Sequence, residues 1–586
     1  MPRPTRLMLM MLACVLFLAA VPVHAEQPPS TQPAVVVDNR AAIVEDRTAF
    51  IDAVDVEPVK RLSVQDRQTL KTFDTFARER IADITGKRRI DGQEPVFTVL
   101  DMAYRPELYA GRNLIKVRHL PLRLELAELP MLSDEQADRL RKEGTISLLF
   151  FVHQEVQEFL ENQQASAVHK ADAINRLGIQ AAMLDQLLGA KEFRDRDIFP
   201  PVALIPPTDE DDQIWKRQGD VVGNVSFLVG ARASVGLDSP PPVPGYDEQR
   251  LEQVMLSTIS LMTGWARSDA AAVNAALEQV GSAVPAVVPE RYPSETKRNA
   301  ELLYNRYGTS LGMIFGSALY LGATVFLLMA SRILGGKLRI AGLVLFVAAF
   351  ALHTAAIGIR WWLVEKSHGD WFHAIPIKNQ FESVMFSAWF GALIGLILEL
   401  WKGKGLFAAA AGFVGALSLM ALFTVPFVFN KEIGGQIGQV QGVLMSYWLY
   451  IHVTVVVASY ALIGMSFAMG AAWLFGRFAL RRTLPQLAAL DQCHVVVLQL
   501  AFWLLGIGII FGAVWADMSW GRPWGWDPKE TFALVTWIVY LIIVHVRIIT
   551  PKKALWTSSL AIIGFAIMLF NWIGVNYFMV GLHSYA

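Results

Sequence analysis

The stretch "WGRPWGWDPKET" (residues 520–531) separates two long apolar runs and determines how the rest of the sequence is interpreted. It holds three tryptophans and four charged side chains, and Gly521, Pro523 and Gly525 interrupt it. Glycine and proline at this spacing disfavour a regular helix. Irregular backbone at membrane depth needs protein or a water-filled cavity around it. The stretch is therefore predicted to be an ordered link between two membrane-spanning helices.

Apolar segments dominate the second half of the 586-residue chain, which has 54% hydrophobic residues and a mean hydropathy of +0.38. Each segment has about 20 residues or more, the length that crosses ~30 Å of hydrocarbon. The eight segments lie near 309–330, 340–359, 381–401, 406–428, 447–475, 494–515, 531–549 and 557–580. The predicted fold is mainly α: a polytopic eight-helix transmembrane bundle, preceded by a signal peptide and a mostly α-helical soluble exported domain.

The basic residues orient this bundle, because they follow every second apolar segment. They are Arg332, Lys337 and Arg339, then Lys402 and Lys404, then Arg477, Arg481 and Arg482, and finally Arg547, Lys552 and Lys553. Links rich in Lys and Arg stay on the cytoplasmic side. We therefore expect the N-terminal half, the 520–531 link and the C-terminus to be extracytoplasmic. The formal net charge of zero gives no sign of a nucleic-acid partner.

The N-terminus has the parts of a secretory signal. Arg3 and Arg6 precede an apolar run over 7–21, and Ala25 ends the segment. We predict a signal peptide at 1–25, with an uncleaved anchor as the alternative; in either case residues 26–300 form an extracytoplasmic domain and 301–586 the membrane domain. The chain has two cysteines, Cys14 and Cys493, and cleavage would leave only the second. An internal disulfide framework is then excluded.

Residues 26–300 give helix signals but no functional motif. The pattern predicts a helix over 64–86, and Ser133 with Gln136 predicts a capping box that opens another helix. Further helices are predicted over 249–263 and 269–280. The sequence of this region contains no P-loop, no metal-binding cluster and no nucleophile motif. Its function is therefore not indicated.

The link itself supports a structural and a functional interpretation. Asp527, Pro528 and Glu530 suit the N-cap, N1 and N3 positions of a capping box for the next helix. The indoles need another explanation: residues 515–537 hold Trp515, Trp520, Trp524, Trp526 and Trp537. Several indoles on a fixed link make a surface for a large, flat, apolar ligand, and Arg522 and Lys529 suit carboxylates at its edge. The candidate binding residues are Trp515, Trp520, Arg522, Trp524, Trp526 and Asp527.

Histidines near the link add a candidate metal. His452 is the sixth residue of the fifth segment and His583 follows the eighth, so both lie near the level of the link. Two imidazoles beside an aromatic surface suit a haem, although a histidine in a helix is also often only hydrogen-bonded; both interpretations stay open. His545 lies about 21 Å deeper, at 1.5 Å per residue. It would mark a second site, near the cytoplasmic side.

Several segments of the sequence resemble those of a known family. Residues 520–547 resemble the WWD haem-handling signature of the system II cytochrome c assembly proteins, the CcsA/ResC family. We call residues 515–537, which hold the five tryptophans, the WWD segment. "SYWLYIHV" (446–453) and "GVNYFMVGLHSYA" (574–586) resemble its two outer-histidine segments. Residues 360–389 resemble its Asn-x-x-Glu-Ser stretch. More loosely, "LKTFDTFARERIADITGK" (70–87) resembles a soluble segment of some long members.

The resemblance implies delivery of haem across the bacterial inner membrane and its presentation to apocytochrome c. The thiols of a C-x-x-C-H motif would add to the haem vinyl groups, so the chain would be a component of a holocytochrome c synthase. Haem b would be bound transiently as a substrate. His452 and His583 match the outer axial ligands, and His545 matches the membrane histidine on the haem uptake side. A separate CcsB/ResB-like membrane subunit is implied as the partner.

Two alternatives remain open at the level of sequence. The chain could be a haem-handling protein of another assembly pathway, passing haem to a chaperone. It could also be a membrane transporter without haem, whose tryptophans form an interfacial belt. A transporter predicts no haem absorbance in the purified protein.

Overall fold

The computed structural model describes residues 40–66, 69–166, 168–189, 202–209, 212, 214–222, 245–308, 311–330, 335–365, 377, 379–428, 446–575 and 579. The predicted signal peptide lies outside them. The N-terminal helices are α1 (Arg40–Ala53), α2 (Glu57–Lys60), α3 (Phe73–Thr85), α4 (Pro95–Tyr104), α5 (Leu120–Leu126), α6 (Asp134–Glu143), α7 (Leu148–Phe151), α8 (Gln154–Ser166), α9 (Val168–Leu187), α10 (Gln218–Val222), α11 (Glu248–Ala266), α12 (Ala270–Ala286) and α13 (Glu295–Leu303). We call residues 50–308 the N-terminal region.

Short strands accompany these helices. β1 (Ser63–Asp66), β2 (Thr69–Thr72), β5 (Ala203–Ile205) and β6 (Lys216–Arg217) form an antiparallel sheet in the order β2-β1-β5-β6, and β3 (Ile115–Lys116) pairs with β4 (Thr145–Ile146). The helix predicted over 64–86 is thus wrong in its first part, which is the β1–β2 hairpin. Lys71 explains the error: its buried ammonium lies 3.1 Å from Asp66 and 2.7 Å from Glu79. Such contacts override local helix propensity.

The other N-terminal helix predictions are confirmed. Ser133 Oγ accepts the Gln136 N–H at 3.3 Å, and the Gln136 side chain accepts the Ser133 N–H at 3.0 Å, so the capping box opens α6. α11 and α12 cover the helices predicted over 249–263 and 269–280. Their core centres on Trp265, which is fully buried and donates its indole N–H to Asp101.

Among the described residues, eight helices are long and apolar enough to cross a membrane, as predicted. They are α14 (Leu311–Ala330), α15 (Gly335–Glu365), α16 (Gln380–Lys402), α17 (Leu406–Val428), α18 (Tyr447–Leu474), α19 (Leu484–Trp520), α20 (Pro528–Ile549) and α21 (Lys553–Leu569). Five-residue π-helical turns, Phe475–Ala479 and Phe570–Gly574, continue α18 and α21. The clearest difference from the predicted spans is α19, which begins ten residues before 494 and ends five after 515.

These helices pack against one another as a bundle. α14 lies against α15 and α17, α16 against α17 and α18, α18 against α19 and α21, and α20 against α21. Small residues allow these close approaches: a Cβ added to Gly391 would lie 3.1 Å from Ala461, for example. We call the end of the bundle that carries residues 521–527 the loop end, and the opposite end the far end. The first residues of α18 and α20 and the last of α19 therefore meet at the loop end.

Candidate functional site

The link between α19 and α20 is fixed at both ends by helix caps. Gly521 closes α19 in the left-handed conformation (φ 66°), and its N–H bonds to Asp517 O at 2.9 Å. At the other end, an Asp527 carboxylate oxygen accepts the Lys529 N–H at 3.1 Å, and Glu530 accepts the Asp527 N–H at 3.2 Å. The predicted capping box is confirmed, and it accounts for the burial of Asp527.

Glu530 does more than cap the helix. Its carboxylate also accepts the Gly525 N–H at 2.8 Å, so one side chain holds two amides of the link. Arg522 lies over Gly525, where an added Cβ would come within 3.2 Å of the guanidinium carbon. Between these contacts Trp526 takes a left-handed backbone (φ 56°) and is 71% exposed. Left-handed backbone costs a non-glycine residue about 1–2 kcal/mol. The surrounding contacts thus hold an indole outward at an energetic cost, as strained functional positions do.

The five tryptophans separate into two groups. Trp515 and Trp537 lie inside the helix bundle: Trp515 is buried, and Trp537 stacks on Phe502 with ring centroids 5.2 Å apart. Trp520, Trp524 and Trp526 belong to the link, and the last two meet edge to face at 5.8 Å. Of these five, the indoles exposed at the loop end therefore belong to the link, and Trp515 lies within the bundle.

His452 joins this arrangement from α18. Its ring is parallel to that of Trp515, with an interplanar angle of 4° and 6.4 Å between centroids. Its Nδ1 lies 2.8 Å from the carbonyl oxygen of Gly508 in α19. A carbonyl only accepts, so Nδ1 carries the proton and Nε2 has the lone pair that a metal takes. An Nδ1–H bonded to a backbone carbonyl is the usual support for a metal-binding histidine.

Two glycines of α19, which sequence reasoning did not single out, allow α18 to pack closely at and just below His452. An added Cβ at Gly512 would lie 2.6 Å from Cε1 of His452 and 2.8 Å from Nδ1. At Gly508 an added Cβ would lie 2.6 Å from Val456, one helical turn below His452. The signal that could have revealed them is the Gly-x-x-x-Gly spacing 508–512, which is typical of closely packed membrane helices.

Of the other two candidate ligands, only His545 falls within the described residues. His583 lies outside the described residues, so the pairing of His452 with His583 remains a prediction. His545 lies exposed on the surface of α20, and its Nδ1 is 2.8 Å from the Leu541 carbonyl of the same helix. It is 17 residues beyond Pro528, roughly 25 Å along the helix at 1.5 Å per residue. His545 and His452 therefore belong to separate sites.

Two other histidines are buried in the bundle and have polar neighbours. His353 on α15 lies 3.4 Å from the Tyr320 hydroxyl, and His494 on α19 lies 2.8 Å from the Ser466 hydroxyl. Within the part of the chain that the structure describes, no three His, Cys, Asp or Glu side chains converge to hold a metal ion. A haem iron needs only axial ligands from the protein, because the porphyrin supplies the other four.

Comparison with known proteins shows what the membrane region resembles. A family model described as "Cytochrome C assembly protein" matches residues 377–583. The chain is 32% identical to the cytochrome c biogenesis protein CcsA of Prochlorococcus marinus over 266 residues, which are 40% of this chain and 80% of that protein. It is 34% identical to CcsA of Chlamydomonas reinhardtii over 219 residues, 36% of this chain and 60% of that protein.

A longer relative matches over half of the chain. Protein NrfI of Wolinella succinogenes is 33% identical over 308 residues, 51% of this chain and 32% of NrfI. The chain thus spans about a third of that relative's length. In contrast, the same chain covers four fifths of the Prochlorococcus protein.

Proposed function

The chain belongs to the CcsA family of cytochrome c assembly proteins, and we propose that it carries haem across the bacterial inner membrane and presents it to apocytochrome c. The observation that supports this most is the imidazole of His452, held in one tautomer beneath an exposed tryptophan-rich link. The basic links at the far end favour a cytoplasmic far end and an extracytoplasmic loop end. Presentation then takes place at the extracytoplasmic surface.

His452 and His583 are proposed to bind the iron of haem b from opposite faces. The Nδ1–H bond to Gly508 fixes the His452 ring, so Nε2 reaches the iron without a change of tautomer. Two neutral imidazoles saturate the axial positions, which blocks other ligands. When the haem is released, the histidine of the apocytochrome motif can replace one of these imidazoles on the iron. The protein therefore acts by holding and orienting its substrate.

The link is proposed to line the porphyrin. Trp520, Trp524 and Trp526 offer indole faces at the loop end, and Arg522 and Lys529 suit the two haem carboxylates. One haem edge must stay open so that cysteine thiols reach the vinyl groups. Each thiol adds its sulfur to one vinyl carbon and its hydrogen to the other, so the addition involves no net oxidation. The chain needs only to place haem and peptide together.

His545 is proposed to mark a second position, where haem is taken up near the cytoplasmic side. Its Nδ1 bonds to its own helix, so Nε2 is the nitrogen for iron. The side chain is exposed on the bundle surface, which suits a site completed by a CcsB/ResB-like membrane subunit. His545→Ala should then deplete haem at the outer position in the complex. Normal loading would remove this role from His545.

The ligand assignment is tested by His452→Gly in the full chain, expressed with its membrane partner. The variant should lose the haem absorbance of the outer position and form no holocytochrome, and added imidazole should restore part of both, because it fills the space of the lost ring. The control is His153→Ala, which removes an exposed histidine of the N-terminal region. Unchanged haem content in His452→Gly would contradict the proposal. Haem absent from the wild-type protein would favour the transporter alternative.

A further inference from the structure

Two sequence segments have no part in the proposed haem site. One is the 70–87 segment of the N-terminal region, and the other is the Asn-x-x-Glu-Ser stretch at the start of α16. Both are connected to α13 and the π-helical turn Tyr304–Gly308 that follows it. These residues precede α14 and thus lie where the N-terminal region meets the bundle.

On the N-terminal side the connection is a buried carboxylate. Glu301 of α13 is 7% exposed, and one of its oxygens accepts the Thr72 N–H at 2.8 Å and the Thr72 hydroxyl at 2.9 Å. The Thr75 hydroxyl donates to the same oxygen, and the Asn305 amide donates to Thr75 at 2.7 Å. A buried carboxylate held by several donors fixes its helix in one position, because each lost bond leaves a buried polar group unpaired.

Thr72 and Thr75 are themselves held by the ordered end of the β1–β2 hairpin. Thr72 is the N-cap of α3 and accepts the Thr75 N–H at 3.3 Å. Next to Thr72, Lys71 is buried between Asp66 and Glu79, and Arg80 bonds to Asp66 at 2.6 Å. The 70–87 segment therefore holds the Glu301 carboxylate in a fixed position.

On the membrane side the connection is a buried ion pair. Arg360, near the end of α15, is 0% exposed, and its Nε and an Nη lie 2.7 Å and 2.6 Å from one Glu382 oxygen at the start of α16. A third nitrogen of Arg360 donates to the Tyr304 hydroxyl at 3.4 Å. The Tyr304 ring packs on Leu363 of α15. In the sequence Arg360 and Glu382 stand on either side of residues 361–381, and their ion pair joins the last turns of α15 to the first turn of α16 at the loop end.

A second ion pair between α15 and α16 can be compared with Arg360–Glu382. Arg339 and Glu399 join the same two helices at the far end, 3.3 Å apart. Holding α15 and α16 together therefore does not by itself explain why Arg360 also reaches Tyr304. Glu301 and Tyr304 lie one turn apart on the same helical stretch, so the bonds to Thr72 and Thr75 and the bond to Arg360 hold neighbouring positions of one segment.

We propose that Thr72, Thr75, Glu301, Tyr304, Arg360 and Glu382 form one buried connection that holds the N-terminal region in a fixed position on the loop end of the bundle. Arg360 and Tyr304 are thereby positioning residues: they place the N-terminal region where the apocytochrome must approach. This second statement rests on the proposed function, whereas the fixed connection does not.

Distance measurements between spin labels test the fixed connection. One label is placed at Glu135, which is exposed on α6, and one at Met518, which is exposed near the end of α19, with Cys14 and Cys493 replaced by serine. The full chain should give one narrow distance distribution. Arg360→Met and Tyr304→Phe should broaden it, and the second variant keeps the packed ring if the first fails to fold. Glu399→Gln, the matched change at the far end, should leave it narrow. A broad wild-type distribution, or narrow distributions in both Arg360→Met and Tyr304→Phe, would overturn the connection.

Holocytochrome formation tests the positioning role separately. Tyr304→Phe should keep the wild-type haem absorbance of the purified protein but lose holocytochrome yield, because the iron ligands are unchanged while the N-terminal region is no longer held. Wild-type yield together with a broadened distance distribution would overturn the positioning role and leave the connection standing. Loss of haem from the wild-type protein would contradict the proposed function, without affecting the distance result.

Discussion

Gly512→Ala tests whether the packing of His452 controls haem binding without touching the histidine itself. Gly512 faces the imidazole across the α18–α19 contact. An added methyl group would lie 2.6 Å from Cε1 and 2.8 Å from Nδ1, whereas ordinary contact begins at 3.4 Å. The ring must therefore move by about 0.8 Å, or the two helices must separate by a similar distance. We expect Gly512→Ala to empty the outer haem position.

The size of this displacement decides the outcome. Imidazole nitrogens bind metals at about 2 Å, and distances in real sites vary by about 0.2 Å, so ~0.8 Å is several times the tolerance. The same movement stretches the 2.8 Å bond to Gly508, whose loss costs about 0.5–1.5 kcal/mol. Overpacking adds about 1–3 kcal/mol. A moderately destabilised protein that still folds, but binds little haem, is the expected result.

The assay is the visible spectrum of the purified variant, normalised to folded protein by size-exclusion chromatography. The matched control is Gly358→Ala in α15, where an added methyl group would meet nothing within 4 Å. That control should keep the wild-type haem content. A Gly512→Ala protein that folds and retains full haem absorbance would refute the reasoning, because the imidazole would then not be the group that holds the iron.

Three further predictions follow from the link and from Glu301. Glu530→Gln keeps an acceptor for the Gly525 and Asp527 amides and should preserve holocytochrome yield, whereas Glu530→Ala should lower thermal stability by about 1 kcal/mol. Trp526→Gly should raise the unfolding temperature by relieving left-handed strain of about 1–2 kcal/mol, yet lower the haem content; a fall in both would contradict the strain argument. Burial raises the pKa of the Glu301 carboxyl, so the folded state binds its proton more tightly than the unfolded state, and stability is lost as pH rises through the folded pKa. Glu301→Gln lacks this loss, so its unfolding temperature should gain on that of the wild type as the pH is raised above the ordinary glutamate pKa of about 4.3, and a difference that stays constant with pH would contradict the assignment.

Much of the fold could be predicted from short-range patterns in the sequence. Apolar length located all eight spans, and the cap residues at Ser133 and Asp527 marked helix starts that the structure confirms. Each of these signals depends on residues close together in the chain. The β1–β2 hairpin shows the limit, because Lys71 is buried by partners that include Glu79 of the next helix. A contact of that kind has no local signature.

In the candidate site, too, residue types could be predicted from the sequence but contacts between helices could not. The sequence identified His452 and the tryptophans by residue type and depth. It did not reveal that Nδ1 of His452 bonds to Gly508, since that bond joins residues 56 positions apart. Nor did it reveal that Arg360 pairs with Glu382 across the 361–381 link, although both lie in the stretch that resembles the family. Side-chain geometry between helices depends on packing, which a single sequence does not contain.

The most direct test of the account is the electron paramagnetic resonance spectrum of the oxidised haem in the purified complex, recorded for the wild type and for His452→Ala and His583→Ala. Two imidazole ligands predict a low-spin ferric signal in the wild type, which each single variant replaces with a high-spin signal or loses with the haem. A low-spin signal that keeps its full wild-type intensity after each substitution would contradict the claim that these two histidines hold the iron.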